Sequence, residues 1–200
     1  MRHLTLIILV FWAISASAQF PVISIGDQLP KSEKMDCATS NKNANIDELK
    51  GENGTLVIFS CNTCPFVVAW EDRFPIVDKI AKENKVNMVL VNSNYNNRNG
   101  VDSFEAMKAH AQKNNYKWPY LIDNESELAN AFGAQTTPHV FLFDKNNKLV
   151  YKGAIDDNHK DRKQVNEFYL QDALNSLGQG KEISNKETRN LGCSIKRKTS

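Results

Sequence analysis

The sequence predicts an α/β fold: a central mixed sheet with helices on both faces. Three observations predict it. Apolar strand-like runs alternate with amphipathic helical patterns through the middle of the chain, as βαβ units require. The first run, Thr55–Ser60, carries Leu56, Val57, Ile58 and Phe59 in succession, which suits a strand covered on both sides. Near the end, the runs His139–Asp144 and Leu149–Gly153 flank Lys145-Asn146-Asn147-Lys148, a polar turn that makes an antiparallel hairpin. Right-handed crossovers then give a parallel part with an antiparallel edge.

The elements follow in order. Residues 19–54 read as an N-terminal arm, broken by Pro21, Gly26, Pro30 and a polar run over 38–45. Within it, Lys34–Cys37 and Ala44–Leu49 suit a short hairpin or a strand and turn, and Asp47–Gly51 one helical turn stopped by glycine. After strand 55–60, a helix is predicted from about Asn62 to Asn84. Val67, Val68, Phe74, Val77 and Ile80 form its inner stripe, while Glu71, Asp72, Arg73, Lys79 and Lys82 face water. Pro75 inside that pattern predicts a kink or break.

Lys85–Asn92 is the next strand, and Asn92–Gly100 an asparagine-rich loop. Val101–Asn114 reads as a helix capped by Asp102 or Ser103, residues 118–123 as a short strand, and Ser126–Phe132 as a short helix stopped by Gly133. The hairpin follows. A last amphipathic helix is predicted over 161–177, with Val165, Phe168, Leu170, Leu174 and Leu177 as its apolar positions. Residues 19–54, 55–178 and 179–200 are thus read as arm, core and C-terminal extension.

The chain opens with Arg2 and His3, an apolar stretch from Leu4 to Ile14, and Ala16-Ser17-Ala18. That pattern reads as a secretory signal peptide, residues 1–18, cut after Ala18, with an uncleaved anchor as the alternative. The expected compartment is periplasmic or extracellular, and no membrane span is expected in the remainder. The whole chain has 25 basic and 23 acidic residues, a balance that gives no reason to expect nucleic acid as partner. The basic run Lys196-Arg197-Lys198 is read as a solvated tail. Two Asn-x-Ser/Thr triplets, at Asn53 and Asn124, are read as chance in an asparagine-rich chain.

The chemistry is expected at Cys61-Asn62-Thr63-Cys64. With a strand before it and a helix after it, Cys61 is expected at a helix N-terminus. Unpaired amides and the helix dipole stabilise a thiolate there and make the sulfur a nucleophile near neutral pH. Cys64, one turn on, is in reach to close a disulfide. A structural disulfide and half a zinc site compete with this reading. Zinc needs two more ligands, and there is no second CxxC and no paired histidine, so neither metal nor cofactor is expected. His139 is read as a strand histidine beside the active site.

With Thr137-Pro138 opening a later strand, the chain resembles the thioredoxin superfamily. It looks most like the exported redoxin or peroxiredoxin-like (AhpC/TSA-type) branch. The motifs are residues 59–67, Val91–Asn94, Trp118–Asp123, Thr137-Pro138 with Phe141–Asp144, and Gly192–Lys196. The resemblance covers residues 24–196. It implies a cis peptide at Pro138 packed against the CxxC, with Thr137 and Pro138 binding an extended substrate. Two departures matter. The strand before Cys61 lacks the buried acid of typical thioredoxins, and no Pro-x-x-x-Thr-x-x-Cys pattern of peroxiredoxins precedes Cys61.

The resulting expectation is an exported thiol–disulfide oxidoreductase acting on a disulfide-bearing protein, with an unknown electron donor. Cys61 attacks and Cys64 resolves. A thiol peroxidase and a redox-silent binding module with a structural disulfide are the alternatives. Cys37 and Cys193 have two readings: a second disulfide stapling arm to tail, which is preferred, or further redox thiols that resolve Cys61 or Cys64.

Overall fold

A computed structural model describes residues 20–40 and 42–198. The expected signal peptide, 1–18, lies outside the described residues.

The strands are β1 (Met35–Asp36), β2 (Asn43–Ala44), β3 (Gly54–Ser60), β4 (Val86–Asn92), β5 (Tyr120–Ile122), β6 (Thr136–Thr137), β7 (His139–Asp144), β8 (Leu149–Gly153) and β9 (Cys193–Ser194). The helices are α1 (Pro65–Trp70), α2 (Phe74–Glu83), α3 (Phe104–Lys113), α4 (Glu127–Phe132) and α5 (Tyr169–Gly178). Five strands form the main sheet in the order β5-β4-β3-β7-β8. β3 runs parallel to β4, and β4 to β5; β7 is antiparallel to both β3 and β8. The mixed sheet with an antiparallel edge is therefore as predicted.

Alternation along the central strand divides the core in two. Leu56 and Ile58 pack with Val67, Trp70, Phe74, Met107 and Leu174. Val57 and Phe59 pack on the opposite face with Ile46, Phe132, Phe141 and Phe143. Every residue of β3 is buried, so the strand reads as a continuous apolar run rather than an alternating one.

Several predicted boundaries shift. The long helix over 62–84 is two helices joined by a 3-10 turn at Glu71–Arg73, with Pro75 in the first turn of α2, where its missing N–H costs nothing. Val68 points outward, about half exposed, not into the stripe. Arg73 is buried rather than facing water, because its Nε donates to Asp156 Oδ2 at 3.3 Å and its Nη2 to the Asn158 carbonyl. Glu71 is also drawn in, against His110 Nε2 at 2.6 Å.

The last helix begins at Tyr169, not 161. Residues 162–164 form a 3-10 turn, and Phe168 stays exposed. Asx contacts take the amides a helix would need: Asn158 Oδ1 accepts from the Lys160 and Asp161 N–H, and Asp161 Oδ1 from Lys163. Among the described residues, no helix is long and apolar enough to cross a membrane.

The C-terminal extension is docked, not free. β9 pairs antiparallel with β6, setting Thr137 opposite Cys193. Gly192 has to be glycine here, since a Cβ would sit 2.4 Å from the Thr137 carbonyl oxygen. The Ile195 N–H donates to the Gln135 carbonyl and the Lys196 N–H to Asn94 Oδ1. Arg197 Nε donates to Asn130 Oδ1 at 2.7 Å, and Lys198 pairs with Glu125 at 2.8 Å. The basic run expected as a solvated tail is thus partly a clasp.

Candidate active site

β3 ends at Ser60, registered beside Asn92 at the end of β4, and delivers the chain to Cys61 at the end of the sheet. Asn62 and Thr63 bend, and Cys64 takes extended backbone (φ −64°, ψ 125°) as the residue before α1. The helix therefore starts at Pro65 rather than about Asn62, and Cys61, expected at the helix N-terminus, lies three residues before its N-cap, Cys64. Pro65 is the cause. It disfavours helical backbone at the residue before it and itself suits the first helical position.

Both sulfurs meet Thr137. The Thr137 hydroxyl lies 3.3 Å from Cys61 Sγ, and Cys64 Sγ donates to the Thr137 carbonyl at 3.1 Å. The Thr137–Pro138 peptide is cis. Cys61 and Cys64 are both buried, with 2% and 4% of their surface exposed, and all four cysteines are unpaired thiols.

The thiols titrate as a pair. The hydrogen bond between them is the largest cause of both shifts, pulling Cys64 down to about 4 and pushing Cys61 up. Burial and the Asp102 charge add to the rise at Cys61; Cys193, the Val67 N–H and the Thr137 hydroxyl favour a Cys64 thiolate against burial. The 3.1 Å carbonyl contact opposes that division, because a carbonyl accepts from S–H and repels S⁻. The direction consistent with all these contacts belongs to the pair: one proton leaves far below the ordinary thiol range and the other is held far above it.

A polar scaffold holds the intervening loop. Asn62 donates its backbone N–H to Asp102 Oδ1 at 2.9 Å and its side-chain amide to the Val101 carbonyl at 2.7 Å. Its side-chain oxygen accepts from the Tyr120 hydroxyl at 2.9 Å. Asp102 is fully buried and also accepts from the amides of Asn92, Asn94 and Asn97. A buried acid, absent from β3, is thus present on the segment before α3, where it holds the backbone of Asn62. Sequence reasoning saw Asp102 only as a helix cap; Ser103 is the cap, accepting from the Ala106 N–H. No spacing rule ties position 102 to position 62.

Cys193 comes to the pair and Cys37 does not. Cys193 lies opposite Thr137 in the β6–β9 pair and packs against the cluster that holds Cys61 and Cys64; burial and the neighbouring Cys64 push its thiol up to about 11. Cys37 packs in the core on the far face, with its sulfur 3.2 Å from Thr39 Oγ1. Burial pushes the Cys37 thiol up, but hydrogen bonds from Ser40 and Thr39 outweigh it and leave it lowered. The expected Cys37–Cys193 staple is therefore corrected: the sheet separates the two sulfurs.

His139 also lies across the sheet from the thiols, its ring 4.4 Å from that of Phe141 and tilted 42° to it. Its Nδ1 accepts from the Gln135 N–H, and burial lowers its pKa to about 3, so it stays neutral. It is not beside the CxxC as expected.

The Redoxin family model matches residues 24–168. The chain belongs to the Redoxin family. No curated protein matches it. This redoxin is similar to the crystal structure of an uncharacterized conserved protein from Geobacillus kaustophilus, at 31% identity and TM-score 0.82, over 92% of this chain and 95% of that one. A hypothetical protein from Sinorhizobium meliloti 1021 is similar at 28% identity and TM-score 0.81, over 90% and 98%. The thioredoxin domain of a thiol-disulfide oxidoreductase from Bacteroides vulgatus shares the fold at 15% identity and TM-score 0.55, over 66% and 89%. The thioredoxin-like architecture of this redoxin is thus shown by sequence family and by fold.

Proposed function

We propose that this redoxin is an exported thiol–disulfide oxidoreductase that exchanges its Cys61–Cys64 dithiol with a disulfide in a partner protein, acting as reductant. One observation carries the reading: both sulfurs of the CxxC converge on Thr137, the residue before cis Pro138.

Cys61 is the attacking sulfur. The Thr137 hydroxyl, 3.3 Å from its sulfur, can donate to the thiolate, while the Thr137 carbonyl accepts the Cys64 proton. The Cys61 thiolate forms a bond to one sulfur of the partner disulfide, and the other partner sulfur leaves as thiolate. Cys64 then gives up its proton and attacks Cys61, releasing the second partner thiolate. The partner has gained two electrons, and a separate donor returns them to the Cys61–Cys64 disulfide. Thr137 and Pro138 flank the pair, and β9, paired with β6, covers the edge that an extended partner would use.

The test is reduction of insulin disulfides by the full chain with a dithiol donor, run on wild type, Cys61→Ser and Cys64→Ser. Wild type is active and both variants inactive. Cys64→Ser accumulates the mixed disulfide at Cys61, because the resolving sulfur is gone. Equal rates in wild type and Cys61→Ser would remove the enzyme reading and leave a binding module. Rapid consumption of hydrogen peroxide without insulin reduction would favour a thiol peroxidase. Export is tested separately: the secreted chain is expected to begin at Gln19.

A further inference from the structure

The thioredoxin-like reading expects an extended substrate to lie along Thr137. In this chain that edge is already taken. β9 runs antiparallel to β6 and puts Cys193 directly opposite Thr137, so the chain's own cysteine occupies the position where a substrate cysteine would meet the pair. The occupant is fixed by the amides of Ile195 and Lys196, by Arg197 on Asn130 and by buried Ile195. Gly192 lets the strand approach closely enough. Cys193 packs against the core cluster that holds Cys61 and Cys64. Of the three sulfurs, only that of Cys193 belongs to a partly exposed residue.

Resting on the proposed exchange chemistry, we infer that Cys193 is a third redox thiol that passes the disulfide between the buried CxxC and the surface. The step is an isomerisation. The Cys193 thiolate attacks Cys64 of the Cys61–Cys64 disulfide; the Cys64–Cys193 bond forms, the Cys61–Cys64 bond breaks, and the electron pair leaves on Cys61. The proton lost by Cys193 ends on Cys61, and there is no net oxidation. An outside dithiol then attacks the Cys193 sulfur, with Cys64 as leaving group, and its second thiol closes the donor's own disulfide and frees the Cys193 thiol. Once the proton has passed to Cys61, that neighbouring thiol stabilises the departing Cys64 thiolate.

The experiment oxidises the full-length chain with diamide, quenches in acid, alkylates the remaining thiols and maps the disulfides by mass. Cys61→Ser and Cys61→Ala are both run, so that one misfolded variant does not decide the result. Each is expected to join Cys64 to Cys193 and leave Cys37 alkylated. If both keep Cys64 and Cys193 as separate thiols while wild type still forms Cys61–Cys64, the relay is overturned and the exchange chemistry stands. If wild type forms no Cys61–Cys64 disulfide, the exchange reading fails, and the relay with it. A kinetic arm follows reduction of the oxidised chain by a protein dithiol, thioredoxin, and by dithiothreitol. Cys193→Ser is expected to slow the protein donor about tenfold more than the small one, because the exposed point of attack is gone. Equal effects on both donors would overturn the relay.

Discussion

Replacing Thr137 by Val removes one oxygen and nearly nothing else. The side chain is fully enclosed, Val matches its shape, and the hydroxyl's listener is Cys61 Sγ at 3.3 Å. A hydrogen bond to a charged acceptor contributes about 1.5–3 kcal/mol. At this distance to a soft sulfur the lower end applies, and about 1.4 kcal/mol equals one pKa unit. The first ionisation of the thiol pair, held far below the ordinary thiol range, is therefore expected to rise by about one unit. A more basic thiolate is also a better nucleophile. With a Brønsted slope of about 0.4–0.5, the rate of a fully ionised sulfur rises about threefold. The assay has two parts: ultraviolet thiolate absorbance of the reduced protein against pH, and the neutral-pH rate with a small alkylating agent. An unchanged midpoint, with the protein folded, refutes the claim that the Thr137 hydroxyl stabilises the ionised pair.

Asp102→Ala leaves the buried Asn62 N–H and the amides of Asn92 and Asn94 without their acceptor, and urea unfolding is expected to show a loss of about 3 kcal/mol or more. Asp102→Asn removes the negative charge that opposes ionisation at Cys61, so the Cys61 thiol falls; cysteine-resolved pH titration reads the shift, and a rise contradicts it. His139 predicts a pH dependence of stability. Its folded pKa is depressed to about 3, so as pH falls below the unfolded value near 6.5 the unfolded state gains a proton that the folded state does not. Stability is thus full above about 6.5 and declines below it, by about 2 kcal/mol at pH 5. In His139→Phe that component of the decline disappears from denaturant melts at the two pH values, and an unchanged slope contradicts it.

Local chemistry made much of the fold legible. Turn residues and strict apolar runs placed β7 and β8 to the residue, Gly133 stopped α4 with its left-handed backbone, and Ser103 capped α3. The β3–turn–helix handover and the cis Thr137–Pro138 peptide were visible as motifs. What was missed depends on contacts far apart in sequence. Arg73 reads as a surface charge until Asp156 is known to sit beside it. Val165 and Phe168 keep helical spacing, yet Asx turns captured the amides around them. Asp102 and Cys193 reach the CxxC only through a loop and a tail whose routes no periodicity encodes. The start of α1 was legible in principle, since Pro65 alone moves it past Cys64.

The most direct measurement equilibrates the full chain with glutathione buffers of graded potential and maps all four cysteines at each point. The account predicts a reversible Cys61–Cys64 disulfide across the series, with Cys37 a thiol throughout. Cys61 and Cys64 that stay unlinked at every potential, or that cannot be reduced again once linked, would contradict it.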